Sequence, residues 1–303
     1  MSIRAWLVRR KIKAVFRPKE LATAPEQARL KHFEVALKAM ESKMPGAPSD
    51  ATVEAVDTDT VRGEWISVPG ARDDRILMFN HGGGYVWGGP KQYRDLGARL
   101  SRALKARVFL LDYRLAPAHR CPSAIEDALA AYDYIQAENP GVPITMGGDS
   151  AGGGLTLATT HAIRDSGRTM PVALALISPW LDVTGSGDSV QANKHKEVML
   201  DADGIQVAGQ VYSGELAPDD PRPSPLFGDQ AGLPPTLVQV GSEEILLSDS
   251  TRFREKAVAA GSSVHLDVWP KMHHVWHMSA GIVPEGKKAI ADIAAFFEHH
   301  WGN

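Results

Sequence analysis

The chain has 303 residues, of which 44% are hydrophobic and 23% charged, as in an ordinary globular protein with a substantial core. Its formal net charge of −3 gives no electrostatic reason to expect nucleic acid as a partner. The single cysteine, Cys121, rules out a disulfide within the chain and fits a reducing compartment, so we expect a cytoplasmic protein. No apolar stretch reaches the roughly 18 residues that a transmembrane segment needs.

The start of the chain is strongly basic, with seven Lys or Arg among its first 20 residues against a single acid, Glu20. Its apolar run is short and precedes the basic cluster, which argues against a signal-peptide core. The spacing predicts an amphipathic helix whose apolar side consists of Ile3, Leu7, Ile12, Val15 and Phe16. Such a helix either lies on a membrane surface or packs on its own protein and exposes a basic face, and we favour the second interpretation.

The rest of the chain alternates between patterns of strand length and helix length. After a second helix (25–44) come eight apolar or alternating runs of strand length, at 51–56, 63–68, 75–80, 106–112, 143–148, 172–178, 236–241 and 263–269. Helical segments follow at 90–106, 122–139, 150–167, 248–261 and 285–301. This alternation predicts an α/β fold with an eight-stranded, mostly parallel sheet and helices on both faces. The first two strands have no helix between them, so we expect them to be antiparallel at one edge.

One connection breaks this rhythm. Nearly 60 residues, 179–235, separate the sixth strand from the seventh, which is too long for a plain crossover. They contain a predicted helix at 201–216 and proline-rich loops. We expect residues 1–48 and about 182–225 to form a helical cap over one end of the sheet, within a single domain that spans 1–303.

A serine stands among glycines where the fifth predicted strand meets a helix. Gly148-Asp149-Ser150-Ala151-Gly152 matches the G-x-S-x-G nucleophile elbow, in which larger side chains would collide with backbone and the serine adopts strained dihedral angles. The turn lies at the carboxyl end of a strand, where open parallel sheets bind ligands. A phosphate-binding loop is the alternative, but no lysine follows in the required pattern. We therefore predict Ser150 to be a nucleophile, and Asp149 to brace the loop.

Three consecutive glycines follow the third predicted strand. Their N–H groups are free to converge on one point, and a tetrahedral intermediate needs such donors about 2.7–3.1 Å from its oxyanion. We predict an oxyanion hole formed by Gly82, Gly83 and Gly84 together with the N–H of Ala151. His81, just before the glycines, is interpreted as a structural histidine that braces the loop.

A general base and its acid are expected later in the chain, in the order serine, acid, histidine. Glu243 and Glu244 follow the seventh strand, and His274 follows the eighth. One helix and one strand separate Glu244 from His274, so both should lie on the same rim of the sheet.

Taken together, these stretches resemble the hormone-sensitive-lipase group of α/β-hydrolase esterases, the bacterial family IV carboxylesterases. The resemblance is carried by HGGGYVWG at 81–88, DYRLAPAHRCPSAIEDA at 112–128, GDSAGG at 148–153, and the pair GSEEILL and MHHVWH. It implies an α/β-hydrolase fold and a serine carboxylesterase for short- to medium-chain esters. It also implies a small-molecule ester as the partner, neither cofactor nor metal, and a fold group in which homodimers are common.

Matched residue by residue, the resemblance implies that Ser150 is the nucleophile, Glu244 the acid and His274 the base. Glu244 is preferred to Glu243 because Leu246 then matches the group's Asp-x-Leu pattern. We expect the base to have a pKa near the ordinary histidine value of about 6.5, so that turnover falls below that pH.

Other side chains have competing interpretations. Asp249 is a weaker candidate for the acid, and His273 and His277 have a spacing seen in metal sites but lack a recognisable third ligand. Tyr85 and Trp87 are predicted to contact the substrate, although Trp87 fits a core position equally well.

Two other functions use the same features. An acyltransferase or an amidase can have an identical triad, since they differ only in what reaches the acyl-enzyme. Non-catalytic binding proteins with this fold have lost the histidine, and the presence of His274 argues against that reading.

Overall fold

Eight strands form one sheet in the computed structural model of the protein, which describes residues 1–21, 24–42 and 44–301. The strands are β1 (Thr52–Asp57), β2 (Arg62–Ser67), β3 (Arg72–Asn80), β4 (Ala106–Leu111), β5 (Ile144–Asp149), β6 (Leu174–Ile177), β7 (Thr236–Gly241) and β8 (Val264–Trp269). Their spatial order is β1-β2-β4-β3-β5-β6-β7-β8. The β1–β2 and β2–β4 pairs are antiparallel and the other pairs parallel. The predicted sheet and its antiparallel edge are confirmed.

The helices also follow the predicted pattern. They are α1 (Ile3–Phe16), α2 (Glu26–Glu41), α3 (Pro90–Leu104), α4 (Ser123–Glu138), α5 (Ala151–Asp165), α6 (Asp188–Ala192), α7 (Ala202–Ser213), α8 (Leu247–Ala259) and α9 (Pro284–Trp301). The short α6 was not predicted, because five residues are too few to show a helical period. The second helix ends at Glu41, before the predicted 44, and residue 43 lies outside the described residues. Across the described ranges, no helix is long and apolar enough to cross a bilayer.

The sheet is covered on both faces because side chains alternate along its central strands. Ile76 and Met78 of β3 pack in a core with α4 and α5. Leu77 and Phe79 point to the other face and pack with α3 and α9. This arrangement leaves the carboxyl ends of the parallel strands free to carry the loops that hold Ser150 and His274.

The N-terminal helix α1 packs on the protein through a face that contains only two of the five predicted residues, Ile12 and Phe16. Its inward side chains are buried or partly buried and consist of Ala5, Val8, Ile12 and Phe16. Three of the predicted apolar-face residues are instead exposed, namely Ile3, Leu7 and Val15. The prediction was wrong for these three because α1 has apolar side chains on two sides, and periodicity alone does not say which side meets the protein.

The long connection between β6 and β7 carries α6 and α7 and contacts the N-terminal helices. Arg17, just after α1, donates a 2.7 Å hydrogen bond to the carbonyl of Leu200. Arg29 of α2 forms ion pairs with Asp201 and Asp203 at the start of α7. These contacts join two segments that are far apart in sequence.

Candidate active site

Ser150 lies in the tight turn between β5 and α5, with φ 54° and ψ −123°. A left-handed φ is costly for a residue that has a Cβ and is typical of functional sites. The neighbouring glycines allow the turn, since a Cβ at Gly148 would meet the carbonyl of Gly152, and one at Gly152 would meet the carbonyls of Asn80 and His81. The predicted steric role of these two glycines is therefore confirmed. Ser150 lines a cavity at the carboxyl end of the sheet.

Glu244 and His274 lie in the loops after the adjacent strands β7 and β8. His274 Nδ1 is 2.8 Å from Glu244 Oε2, and both side chains are buried. Because Nδ1 meets the carboxylate, Nε2 is the nitrogen available to the cavity, which His274 lines together with Ser150. Within the described residues no hydrogen bond joins Ser150 Oγ to the imidazole. Such bonds commonly tighten only when substrate binds.

The carboxylate of Glu244 contacts Ser178 and Gly241 in addition to His274. Its Oε1 accepts hydrogen bonds from the Ser178 hydroxyl at 2.8 Å and from the Gly241 N–H at 2.5 Å. The Ser178 oxygen in turn accepts from the N–H of Val275 at 3.2 Å, so one hydroxyl contacts both Glu244 and the loop that carries His274. Sequence reasoning missed Ser178, whose only signal is a polar residue directly after the buried strand β6.

The other two acid candidates do not contact the imidazole. Glu243 forms an ion pair with Arg9 of α1. Asp249 accepts hydrogen bonds from the backbone N–H groups of residues 181 and 182, at 2.9 and 3.0 Å. Of the three carboxylates considered from the sequence, Glu244 is the one that the fold brings to His274.

The pKa of His274 is raised above its ordinary value. Burial alone lowers it, but the hydrogen bond that Nδ1–H donates to Glu244 and the charge of that carboxylate raise it by more, and the charges of Glu197 and Asp149 add to this. The sequence led us to expect an unshifted base. The difference arises because the surrounding carboxylates, which the sequence does not place, favour the imidazolium.

The neighbouring histidines have no such carboxylate. Burial lowers the pKa of both His273 and His277 to about 3, so both are neutral. His277 Nε2 is 2.8 Å from Gln239 Oε1, while His273 lines the cavity. In the described part of the chain, no group of three or more His, Cys, Asp or Glu side chains is arranged to hold a metal ion.

The loop that follows β3 is braced by Asp149, as predicted. The Gly82 N–H donates to the Tyr93 hydroxyl at 2.9 Å and to Asp149 Oδ1 at 3.0 Å. The Tyr93 hydroxyl donates to Asp149 Oδ2 at 2.9 Å. Burial raises the pKa of Asp149 to about 6. The Gly82 amide is therefore occupied, and including it among the oxyanion donors was a wrong prediction.

The amides of Gly83, Gly84 and Ala151 have no hydrogen-bond partner among the described residues. Gly83 and Gly84 have φ of 118° and 63° and line the cavity beside Ser150. A Cβ at Gly83 would meet the carbonyl of Trp87, so this bend requires glycine. Three backbone N–H groups are thus available near the serine.

Some aromatic residues around this loop pack against one another and brace it, and others line the cavity. His81 is buried, with its ring stacked on Tyr113 at 4.2 Å, and burial lowers its pKa to about 4. Tyr85 was predicted to contact substrate, but its buried ring stacks on Tyr212 at 3.5 Å and lies outside the cavity lining. Trp87 does line the cavity.

The cavity has a volume of about 840 Å³, and most of its wall is apolar. Side chains come from α1, α2 and the long connection, including Val8, Ile12, Phe33, Leu37, Met199 and Ile205. Clefts of 300–1,000 Å³ with apolar walls and a few polar groups are typical of small-molecule sites. Ser150 and His274 are among its polar lining residues, which also include Arg29, Lys38 and Asp201.

Glu197, in the long connection, was also missed by sequence reasoning. Its buried Oε1 accepts from the N–H groups of Val198 and Met199, both at 2.8 Å. Its Oε2 accepts from the N–H of Ile245 at 3.2 Å, next to Glu244. Burial and the charge of Glu244 raise the pKa of Glu197. The connection is thereby tied to the turn that carries Glu244.

Comparisons with known proteins identify a family and several relatives of this chain. Residues 77–278 match a family model described as the α/β-hydrolase fold. The chain is 41% identical over 234 residues to an acetyl-hydrolase of Streptomyces hygroscopicus, covering 77% of this chain and 78% of that protein. It is 39% identical over 239 residues to an esterase of Acinetobacter venetianus, covering 78% of each.

Solved structures extend the match to the whole chain. The crystal structure of EstE5 soaked with p-nitrophenyl butyrate has a TM-score of 0.91 and 35% identity, covering 100% of both chains. A structure described as an esterase from the bacterial hormone-sensitive lipase family has a TM-score of 0.88 and 37% identity, covering 99% of both chains.

Proposed function

The chain belongs to the α/β-hydrolase family, among the esterases of the bacterial hormone-sensitive-lipase group, and we propose that it cleaves short- to medium-chain carboxylic esters through an acyl-enzyme on Ser150. The observation that carries the proposal is the 2.8 Å contact between His274 Nδ1 and Glu244 Oε2. It leaves Nε2 for the cavity that Ser150 also lines.

In the first half of the reaction, neutral His274 takes the proton of Ser150 through Nε2 while Oγ attacks the ester carbonyl. Glu244 accepts the Nδ1–H, keeps the imidazole in the correct tautomer and stabilises the imidazolium. The negative charge that develops on the carbonyl oxygen is met by the amides of Gly83, Gly84 and Ala151. The imidazolium then protonates the departing alcohol, and the acyl group remains on Oγ.

In the second half, water replaces the alcohol. His274 takes a proton from water as the water oxygen attacks the acyl carbonyl, and the same amides accept the negative charge. The bond between the acyl carbon and Oγ then breaks, and the imidazolium returns a proton to Ser150. The products are a carboxylic acid and the free enzyme, so ester and water account for every atom.

Hydrolysis is favoured over acyl transfer and amide cleavage by what the relatives are called, since they are named esterase and acetyl-hydrolase. A short acyl chain is supported by the butyrate ester used with EstE5.

We also propose that residues 1–48 and about 182–225 act as a cap over the site. Side chains of both segments line the cavity, and Arg17 and Arg29 link the segments to each other. Residues 22, 23 and 43 of this cap lie outside the described residues. A cap of this kind excludes water around the developing charge, where it strengthens electrostatic stabilisation.

The test is a series of p-nitrophenyl esters of rising chain length, assayed with the wild type and with Ser150→Ala. We expect the variant to keep its circular dichroism spectrum and lose turnover by at least about 10⁴-fold. Ser263→Ala, at an exposed serine, is the matched control and should match the wild type. A fluorophosphonate should label only the peptide that contains Ser150. Residual hydrolysis near the wild-type rate, or labelling of another serine, would contradict the proposal, and a rate maximum beyond about eight carbons would contradict the chain-length part.

A further inference from the structure

The solvent-facing side of α1 carries large apolar side chains. Ile3 is 79% exposed, and Trp6 and Leu7 are each 47% exposed. At 100° per residue Ile3 and Leu7 lie about 160° from the buried Ala5, and Trp6 lies about 100° from it, at the edge of the same exposed side. Single exposed apolar residues are ordinary, whereas a group on one element marks an interaction site.

Basic side chains surround this apolar group. Arg4, Arg10 and Lys11 are exposed, and none of them has an ion pair with a side chain that the structure describes. The guanidinium of Arg10 lies 5.5 Å from the centre of the Trp6 ring. No acidic residue occurs between residues 3 and 16. We refer to Ile3, Arg4, Trp6, Leu7, Arg10 and Lys11 as the outer face of α1.

We propose that the outer face of α1 docks on an anionic phospholipid surface. Helices that lie in the membrane interface combine Trp or Leu for insertion with Lys or Arg for anionic headgroups. The whole chain has a net charge of −3, so positive charge is concentrated locally on this helix. This positive charge is complementary to the negative charge of an anionic leaflet, which attracts basic segments.

Docking through α1 would also bring the cavity close to the membrane. Val8 and Ile12, on the inner side of the same helix, line the cavity. A surface-bound α1 would therefore set the cavity wall next to the lipid. That consequence rests on the proposed ester hydrolysis, whereas the docking itself does not.

The test measures co-sedimentation of the 303-residue protein with vesicles of phosphatidylcholine, with and without phosphatidylglycerol. We expect binding only to the anionic vesicles, and weaker binding as salt rises. The double variant Arg10→Glu with Lys11→Glu should bind at least about twentyfold more weakly, at roughly fivefold for each charge removed. Leu7→Ser should lose about tenfold through lost apolar burial.

Two substitutions on α8 serve as controls, since Val258→Ser and Arg254→Glu also change exposed apolar and basic side chains. These controls should bind as the wild type does, and all variants should keep wild-type melting temperatures and hydrolysis of a soluble ester. Failure of the wild type to sediment with anionic vesicles would overturn the proposal. Equal losses in the α8 controls would do the same, as would a dimer in sedimentation velocity that Leu7→Ser dissociates without any vesicle binding.

A second inference comes from the inner edge of the same helix. Arg9 Nη1 donates a 2.9 Å hydrogen bond to the carbonyl of Lys271, and Nη2 donates one of 2.7 Å to the carbonyl of Lys196. The same guanidinium forms an ion pair with Glu243. One side chain thus contacts the turn that carries Glu244, the loop that carries His274, and the long connection.

We infer that Arg9 is a positioning residue for the Glu244–His274 pair, an inference that rests on the proposed triad. A guanidinium presents five donors in a fixed fork, so it can serve two carbonyls and a carboxylate at once. A lysine ammonium is a point charge on a flexible stem and does not reproduce this geometry. The two loops would otherwise be free to move apart by a fraction of an ångström, and small misplacements of reacting groups are costly.

The test compares Arg9→Met and Arg9→Lys with Arg254→Met as the control, using a soluble ester. We expect kcat to fall about tenfold in both Arg9 variants while KM changes little. The acid limb of the pH profile should move to lower pH in Arg9→Met, because a looser Glu244 contact raises the His274 pKa less. A lower melting temperature with unchanged kcat and pH profile would show a merely structural role and overturn the inference. If Ser150→Ala also stayed active, the proposed function itself would fail.

Discussion

Replacing Glu244 by glutamine tests the acid of the proposed triad most directly. Glu244 Oε1 accepts from the Gly241 N–H and the Ser178 hydroxyl, and Oε2 meets His274 Nδ1. A glutamine has only one acceptor oxygen. The Gly241 N–H is fixed in the backbone. If the NH₂ group of the glutamine pointed at it, two buried donors would face each other without an acceptor, which costs about 1–3 kcal/mol of stability. The glutamine oxygen therefore stays at Gly241, and its NH₂ group faces Nδ1.

That orientation selects the wrong tautomer. An NH₂ group donating to Nδ1 forces the imidazole proton onto Nε2, which then cannot accept the proton of Ser150. The equivalent exchange in a serine protease triad, a worked case in general enzymology, lowers kcat about 10⁴-fold. At 1.36 kcal/mol per decade this is roughly 5 kcal/mol of transition-state stabilisation. We expect the same order of loss for Glu244→Gln, with KM nearly unchanged.

The assay is steady-state hydrolysis of p-nitrophenyl butyrate, with the melting temperature recorded for each variant. Glu255→Gln, an exposed position on α8, is the control and should retain full activity. A Glu244→Gln variant within tenfold of the wild-type kcat would refute the tautomer argument. If Glu243→Gln were the variant that lost about 10⁴-fold, the acid would have to be reassigned.

Three further predictions follow from the site. The pKa of His274 is raised, and its neutral imidazole is the proposed base. The acid limb of kcat/KM should therefore have its midpoint above about 6.5, and a midpoint at or below that value would contradict the assigned cause. Gly152→Ala places a methyl group against backbone carbonyls and should lower the free energy of unfolding, measured by urea titration, by at least about 1–3 kcal/mol. Gly46→Ala is the control, because Gly46 has open space around it, and should leave the free energy of unfolding unchanged. Ser178→Ala removes a hydroxyl that contacts both Glu244 and the histidine loop, so kcat should fall about tenfold with KM unchanged, and an unaltered kcat would show that Gly241 alone holds the carboxylate.

Much of the fold was readable from the sequence because the relevant signals are local. The strands alternate or are uniformly apolar, and the elbow around Ser150 needs small residues whatever surrounds it. The rim that carries Glu244 and His274 follows from the rule that parallel strands end together. These features depend on a few neighbouring residues, and the structure agrees with them.

The predictions that were wrong or incomplete concern features that depend on contacts between distant segments. The choice of the buried side of α1 is made by the surface that Ala5 packs against, not by the helix itself. The amide of Gly82 is occupied because Tyr93 and Asp149 reach it. Glu243 and Glu244 are adjacent in sequence, and only their different partners, Arg9 and His274, tell them apart.

The N-terminal helices can complete their contacts only late in protein synthesis. Arg17 donates to the carbonyl of Leu200, 183 residues later, and Phe16 and Phe33 pack in a cluster with Met199. A ribosome that adds 5–20 residues per second needs roughly ten to forty seconds to produce that partner. Throughout this interval Phe16 and Phe33 have each other as neighbours, with ring centres 5.5 Å apart in the folded protein, but lack Met199. Chaperones that bind exposed aromatic segments would find their target here before Ser150 and His274 exist in the same molecule.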